Sequence, residues 1–181
     1  MPILVAALVL VGLLCALDLI LTLGVVQRLR KHGALLAEVV SPSPDLEVGQ
    51  EIGEFETTTV AGEPVTPGLL GSGTLVGFFS PTCGPCKDKL PAFVSHVRGL
   101  PAGQGTPLAV VIGEPDQATD FLTKLTPVAR VVVERGDGPV SQAFGVRAYP
   151  TLLRVDRDDA DRLVVGANRV EVDGPAAVAV G

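Results

Sequence analysis

Runs of apolar residues, separated by polar and turn-forming segments, divide most of the chain into short strands and helices. One apolar run of strand length spans residues 74–79. In the segment that follows, apolar residues recur at Leu90, Phe93, Val94 and Val97. This i, i+3, i+4, i+7 spacing predicts a helix over residues 87–97. The chain therefore passes from a buried strand directly into an amphipathic helix.

The same alternation continues towards the carboxyl terminus. Further strands are predicted over 108–113, 128–133, 152–155 and 162–165. Helices are predicted over 116–125, with Asp116 as N-cap, and over 139–144, which begins with a proline. A hairpin of two short strands, near 55–60 and 64–66, precedes the run at 74–79. Strands that alternate with helices predict an α/β fold, in which helices cover both faces of a central sheet.

The first 40 residues have a different character. Residues 3–26 are almost continuously apolar, and as a helix they would extend about 36 Å, which is enough to cross a bilayer. No basic residue precedes them and no small-x-small cleavage site closes them, which favours an anchor over a cleaved signal. The sequence predicts an anchor with a juxtamembrane extension over 1–40, a linker over 41–47 and a folded domain over 48–181.

Charge bears on partners and on topology. Beyond residue 32 the chain carries 11 basic and 19 acidic residues, a net charge of −8, which argues against binding nucleic acid. Arg28, Arg30 and Lys31 follow the apolar segment, and the positive-inside rule taken alone would leave the domain in the cytoplasm. Asp18 interrupts the apolar segment, where it marks either a partner helix or a position close to the interface.

Two cysteines lie where the strand over 74–79 turns into the next helix. Cys83 is predicted near the helix N-cap, where unpaired amides favour a thiolate. Cys86, one turn further, is expected to be more buried and less reactive. The arrangement suits thiol–disulfide exchange, in which Cys83 forms a mixed disulfide and Cys86 resolves it.

The sequence gives less support to other functions of the cysteine pair. A zinc site needs two more thiolate or imidazole ligands, but Cys15 lies in the apolar run, and His32 and His96 lack ligand spacing. A purely structural disulfide across so short a loop would add little stability. No metal and no organic cofactor is therefore expected.

Pro150 stands directly before the strand over 152–155. It forms either a rigid turn or a cis peptide bond that leaves the preceding backbone open to an extended substrate. The residue alone does not decide between them.

Several motifs together resemble a known family. The motif Cys83-Gly84-Pro85-Cys86, Pro91 five residues later and the segment Phe144–Thr151 resemble the thioredoxin fold. The preceding hairpin and the anchor narrow this resemblance to the membrane-tethered TlpA/ResA-like thiol–disulfide oxidoreductases. The layout is also similar to the methylamine-utilisation accessory protein MauD. The resemblance covers about residues 46–166 and implies a central mixed sheet with flanking helices, preceded by an N-terminal transmembrane helix.

The resemblance also implies roles for individual residues. Cys83 and Cys86 are the catalytic pair, supported by Gly84 and Pro85. Pro150 is a cis-proline that faces the cysteines, and the Tyr149 backbone pairs with the bound substrate. The substrate-binding set implied in this way is Thr82, Tyr149, Pro150 and Thr151.

Partners and location follow from the same resemblance. The substrates would be protein thiols and disulfides, and a membrane or soluble thiol would supply electrons. The domain of a single-pass membrane protein of this kind lies outside the cytoplasmic membrane, in contrast to the charge count.

The sequence departs from the family at several positions. Thioredoxins carry a buried carboxylate six residues before the first cysteine, where this chain has Gly77. The glutamate of ResA-like proteins three residues after the second cysteine is replaced by Lys89. Asp88, Glu114 or water would have to serve as the proton acceptor for Cys86. Thr82 stands where a tryptophan is usual. The terminal helix is reduced to about 176–180.

Two other functions stay open at this level. A peroxiredoxin-like thiol peroxidase would share the hairpin region, but it usually has Thr-x-x-Cys where this chain has Ser80. A MauD-like maturation or assembly factor would use the fold to bind a partner rather than to exchange disulfides.

Overall fold

The computed structural model describes Leu10, Gly12 and residues 46–101 and 105–172. Apart from Leu10 and Gly12, the predicted anchor lies outside these ranges, as do most of the linker and the short helix expected over 176–180. Within the described residues, no helix is long and apolar enough to cross a membrane.

Seven strands and three α-helices make up the described part of the chain. The strands are β1 (Thr57–Thr58), β2 (Pro64–Val65), β3 (Thr74–Phe79), β4 (Leu108–Ile112), β5 (Arg130–Glu134), β6 (Thr151–Arg157) and β7 (Leu163–Ala167). The helices are α1 (Gly84–Arg98), α2 (Thr119–Leu125) and α3 (Pro139–Phe144). A short 3-10 helix, Pro67–Leu69, follows β2.

The main sheet is mixed, as predicted, with the strand order β5-β4-β3-β6-β7. Strands β3, β4 and β5 are parallel, whereas β6 runs antiparallel to β3 and β7 antiparallel to β6. Because parallel strands end on the same side, the carboxyl ends of β3, β4 and β5 meet at one edge of the sheet. The two cysteines follow β3 at this edge.

Helices pack on both faces of the sheet, which confirms the predicted architecture. Alternate residues of β3 point to opposite faces. On one face Phe79 packs against Phe93 of α1, with ring centroids 5.1 Å apart. On the other face Phe78 packs against Phe144 of α3, with ring centroids 5.3 Å apart. All six residues of β3 are buried, so the strand that precedes the cysteines is held firmly at the centre.

The outer strands of the sheet have further main-chain partners. The amide of Gly49 donates to the carbonyl of Val165 in β7 at 2.7 Å, and the amide of Ile52 donates to Leu163 at 2.9 Å. At the other side, the amide of Val60 donates to Val131 of β5 at 2.8 Å. The segments around the small β1–β2 hairpin thus border the main sheet.

One local prediction was wrong. Asp116 is not an N-cap: α2 begins at Thr119 after Ala118, because the amides of Gln117 and Ala118 are engaged in turns with the carbonyls of Glu114 and Pro115. Helix α1 begins at Gly84, directly after Cys83, which confirms the predicted N-cap and extends the helix three residues before the apolar periodicity over 87–97.

Candidate active site at the amino terminus of α1

A tight turn connects β3 to α1. The amide of Cys83 donates to the carbonyl of Ser80 at 3.1 Å, and Pro81 is buried within the turn. Cys83 is the N-cap of α1, in an extended conformation, and Pro85 occupies the first helical turn. A proline in the first turn costs nothing there, because its missing N–H would have had no helical partner.

Cys83 is partly exposed and has two polar neighbours. Its sulfur accepts a hydrogen bond from the amide of Cys86 at 3.4 Å, as a capping oxygen would. The same sulfur donates to the carbonyl of Tyr149 at 3.4 Å. The thiol is therefore oriented by α1 on one side and by the loop before β6 on the other, and it remains accessible to a partner sulfur.

Cys86 is fully buried one turn below Cys83. The amide of Ser80 donates to its sulfur at 3.4 Å. Burial raises the pKa of the Cys86 thiol well above its usual 9.0, the neighbouring Cys83 side chain raises it further, and the Ser80 amide offsets part of this effect. Cys86 is thus a buried thiol that keeps its proton at neutral pH.

The loop before β6 lies opposite Cys83. The peptide bond between Tyr149 and Pro150 is cis, as the resemblance implies, and both residues are half-buried. The hydroxyl of Thr151 donates to the carbonyl of Ala148 at 2.7 Å. This bond closes the turn around Pro150, so the buried Thr151 supports the loop from within.

The remaining predicted site residues form the rim around Cys83. Thr82, Gly84 and Pro85 are all exposed. The Thr82 hydroxyl lies 3.1 Å from the Ser80 hydroxyl. The structure therefore brings Cys83, Cys86 and the Tyr149 carbonyl together, and leaves Thr82, Gly84 and Pro85 exposed beside Cys83.

Packing explains why position 77 carries no carboxylate. A Cβ atom at Gly77 would lie 2.8 Å from Phe79 Cε2, 3.0 Å from Phe93 Cε2 and 3.1 Å from Leu152 Cδ2. The space that a buried acid would need is filled by aromatic rings.

The other candidate acids also lie apart from Cys86. Glu114 forms an ion pair with Arg135, with Oε1 2.9 Å from Nε, and Asp88 is exposed on α1. Among the other described residues, the polar groups that act on the Cys86 sulfur are the Cys83 side chain and the Ser80 amide.

Sequence reasoning missed Glu134, at the end of β5. Its carboxylate accepts hydrogen bonds from the amides of Val140 at 3.1 Å and Ser141 at 2.7 Å, in the first turn of α3. One signal was available: the N-cap of α3 is Gly138, which has no side-chain acceptor. The first amides of the helix therefore needed an acceptor from elsewhere in the chain.

Comparisons with known proteins show the fold. No protein-family profile matches the sequence, and no curated protein sequence does either. The thioredoxin domain of a thiol-disulfide oxidoreductase from Bacteroides vulgatus superposes with a TM-score of 0.56, at 16% identity over 70% of this chain and 91% of its own. The chain has a thioredoxin-like fold.

Two further structures carry the same fold. A thiol:disulfide interchange protein from Bacteroides sp. superposes with a TM-score of 0.56, at 16% identity over 71% of this chain and 84% of its own. A protein assigned as the thiol:disulfide interchange protein DsbE from Chlorobium tepidum gives 0.53, at 21% identity over 66% and 84%. In this thioredoxin-like fold, the Cys83–Cys86 pair opens the helix that follows the central strand.

Proposed function

We propose that the protein is a thiol–disulfide oxidoreductase that reduces or exchanges disulfides in partner proteins. The observation that carries this proposal is the contrast between the two cysteines. Cys83 caps α1 and is partly exposed, whereas Cys86 is buried one turn below, with its amide 3.4 Å from the Cys83 sulfur. Structural neighbours named as thiol:disulfide oxidoreductases and interchange proteins support it.

The exchange proceeds in two steps. The Cys83 thiolate attacks a substrate disulfide, so that a bond forms between Cys83 and one substrate sulfur while the other leaves as a thiolate and takes up a proton. Cys86, after losing its proton, then attacks the Cys83 sulfur. This step forms the Cys83–Cys86 disulfide and releases the second substrate thiol. Two electrons pass to the substrate, and a membrane or soluble thiol donor restores the reduced pair.

The proposed direction is reduction. The Gly84-Pro85 dipeptide between the cysteines resembles that of thioredoxin. Strong oxidants of this fold usually carry other dipeptides between their cysteines. The electron donor that is present decides the direction in the cell.

A substrate segment would bind along the loop before β6. The backbone of Tyr149 faces Cys83 through the 3.4 Å contact to its carbonyl. The exposed rim of Thr82, Gly84 and Pro85 is small and uncharged, which suits an extended chain of varied sequence more than one fixed side chain. Partner proteins with accessible disulfides are the proposed substrates.

The membrane-tethered, TlpA/ResA-like form of this function is also a proposal. The anchor rests on the apolar run over residues 3–26, and the position of the domain outside the cytoplasmic membrane rests on the resemblance to anchored members of that family. Labelling of intact cells with a membrane-impermeant maleimide, after mild reduction, tests it. We expect labelling of wild type and its loss in Cys83→Ser, and labelling only after lysis would place the domain in the cytoplasm instead.

Insulin reduction by the purified protein, with dithiothreitol as donor, tests the activity. We expect Cys83→Ser to abolish turnover and Cys86→Ser to accumulate mixed disulfides. Cys15→Ser is the matched control, because it makes the same substitution at the third cysteine, and it should retain full activity. Insulin reduction by Cys83→Ser at the wild-type rate would refute the assignment.

A further inference from the structure

Glu134 is built into the first turn of α3. Each of its carboxylate oxygens accepts one amide, from Val140 and from Ser141. A Cβ atom at Gly138 would lie 2.5 Å from the Glu134 Cδ, so a side chain at this position would displace the carboxylate. Glycine at position 138 thus leaves room for the carboxylate against the helix.

The main chain of Glu134 is linked through Gly113 to the turn that carries the cysteines. Its carbonyl accepts a hydrogen bond from the amide of Gly113 at 3.0 Å. Gly113 borders the turn before α1, because a Cβ atom there would lie 3.3 Å from Pro81 Cδ. Pro81 is buried two residues before Cys83. Glu134 therefore contacts the segment that supports one side of the active site.

The side chain of Glu134 supports the other side through α3. This helix ends at Phe144, and five residues later the chain reaches Tyr149, whose carbonyl faces Cys83. The Tyr149 phenol lies beside the loop between β5 and α3, where its oxygen would lie 3.9 Å from a Cβ atom at Gly136. Its ring packs against the apolar clusters of both faces of the sheet. The side chain of Tyr149 thus lies near the segment that leads into α3, while the carbonyl of the same residue faces Cys83.

Electrostatics agree with this geometry. The pKa of the Tyr149 phenol is raised, first by burial, while the Ser141 hydroxyl lowers it and the charges of Glu134 and Cys86 raise it again. The charged or titratable groups that act on the phenol thus come from β5 and from α1. Ser141 is itself buried, in the first turn of α3.

We propose that Glu134 is a positioning residue, which holds α3 and Tyr149 so that the Tyr149 carbonyl stays opposite Cys83 to receive an extended substrate segment. The proposal rests on the proposed function and deepens it. Positioning of this kind acts on substrates that must pair with the loop, because their reacting sulfur has to be aligned with Cys83. It has little effect on small disulfides that need only reach the exposed sulfur.

Two substrates separate these effects in the full-length protein. The KM for insulin measures alignment of a peptide segment, and the rate with 5,5′-dithiobis(2-nitrobenzoate) measures reaction of Cys83 with a small disulfide. We expect Glu134→Ala to raise the KM for insulin roughly tenfold, because both amides of α3 lose their acceptor and the loop that carries Tyr149 is no longer held in place. The rate with the small disulfide should stay within about twofold of wild type, since Cys83 itself is unchanged.

Two other variants control for stability and charge. Glu134→Gln keeps one carbonyl acceptor for α3, so its KM for insulin should lie between the values of wild type and Glu134→Ala. Asp137→Ala removes one negative charge from an exposed side chain three residues away and should behave like wild type with both substrates. Thermal unfolding of each variant shows whether it is folded. If Glu134→Ala does not fold, Glu134→Gln is compared with wild type instead.

Tyr149 supplies an independent spectroscopic readout. It is the only tyrosine in the sequence, which has no tryptophan, so tyrosinate absorbance reports this phenol alone. Both Glu134 variants remove a charge that raises the pKa of Tyr149, and both should shift its titration to lower pH. Asp137→Ala should leave the titration in place.

The outcomes that would overturn the proposal are distinct. A lower thermal stability with an unchanged KM for insulin would make Glu134 a structural cap only. An equal loss with both substrates would show a general distortion of the site, and an unshifted Tyr149 titration would show that Glu134 does not act at the phenol. If wild type reacted with the small disulfide but failed to reduce insulin, the proposed function would fail, and the Tyr149 titration would still test the link to Glu134.

Discussion

The amide of Cys86 lies 3.4 Å from the sulfur of Cys83, although the two side chains have opposite environments. Cys83 is partly exposed at the amino terminus of α1, and Cys86 is completely buried beneath it. Their separation by one helical turn keeps the two sulfurs close, while only one of them can meet a partner directly.

This difference predicts selective alkylation. When the reduced full-length protein is treated briefly with iodoacetamide near neutral pH, Cys83 should be modified at least about tenfold faster than Cys86, because a buried thiol is inert. Peptide mapping by mass spectrometry distinguishes the two. The Cys83→Ser protein should then show slow labelling at Cys86, and equal rates in wild type would contradict the buried position of Cys86.

Resolution of the mixed disulfide should accelerate with pH. Cys86 attacks as a thiolate, and burial raises the pKa of its thiol above 9.0, so the thiolate fraction rises about tenfold per pH unit below that pKa. Release of thionitrobenzoate from a mixed disulfide on Cys83 measures this step between about pH 6 and 8. Cys86→Ser should release none. A rate that levels off below about pH 8 would show that another group lowers the pKa of Cys86.

Reduced protein should lose stability in alkali. Folded Cys86 keeps its proton above pH 9.0, whereas the unfolded chain loses it there, so the folded state binds more protons. The free energy of unfolding should therefore fall as pH rises beyond about 9, by up to about 1.4 kcal/mol per pH unit. Below that pH the contribution is fully present.

Urea unfolding of reduced protein at two alkaline pH values measures this loss. The oxidised protein is the control, because it has no Cys86 thiol but retains Tyr149, whose pKa is also raised. An identical pH dependence in both redox states would exclude Cys86 as its source.

Replacement of Gly77 should destabilise the domain. A Cβ atom there would lie 2.8 Å from Phe79 and 3.0 Å from Phe93, so Gly77→Ala should cost about 1–3 kcal/mol of the free energy of unfolding through overpacking. Gly77→Asp should cost more, because it also buries a carboxylate. Urea unfolding measures both, with Gly71→Ala as a control where a Cβ atom has open space. If Gly77→Asp left the free energy of unfolding unchanged, the aromatic rings around position 77 would have to be able to move apart.

The periodicity of the sequence was enough to predict the elements and the site at their junction. The buried run over 74–79 and the apolar stripe from Leu90 to Val97 are local patterns, and both appear in the structure as β3 and α1. The position of Cys83 as N-cap follows from that junction and is confirmed. Local patterns suffice here because burial of each element depends on its own apolar residues.

Contacts between distant residues could not be predicted in this way. The wrong N-cap at Asp116 arose because turns at Gln117 and Ala118 delay the helix, and an aspartate alone does not reveal them. The role of Glu134 depends on a carboxylate reaching amides six and seven residues later across a loop. Such bonds depend on tertiary geometry rather than on any repeat in the sequence.

The main-chain pairing at the borders of the sheet has a consequence for how partners leave. Gly49 and Ile52 occupy the outer side of β7, and Val60 donates to β5, so an extended segment of another protein is hindered from adding to these edges as a further strand. In the proposed exchange, a substrate would then be held by the mixed disulfide and by the short loop before β6. Once the mixed disulfide is resolved, neither edge of the sheet would retain the substrate, which would favour rapid release over co-aggregation with unfolded chains.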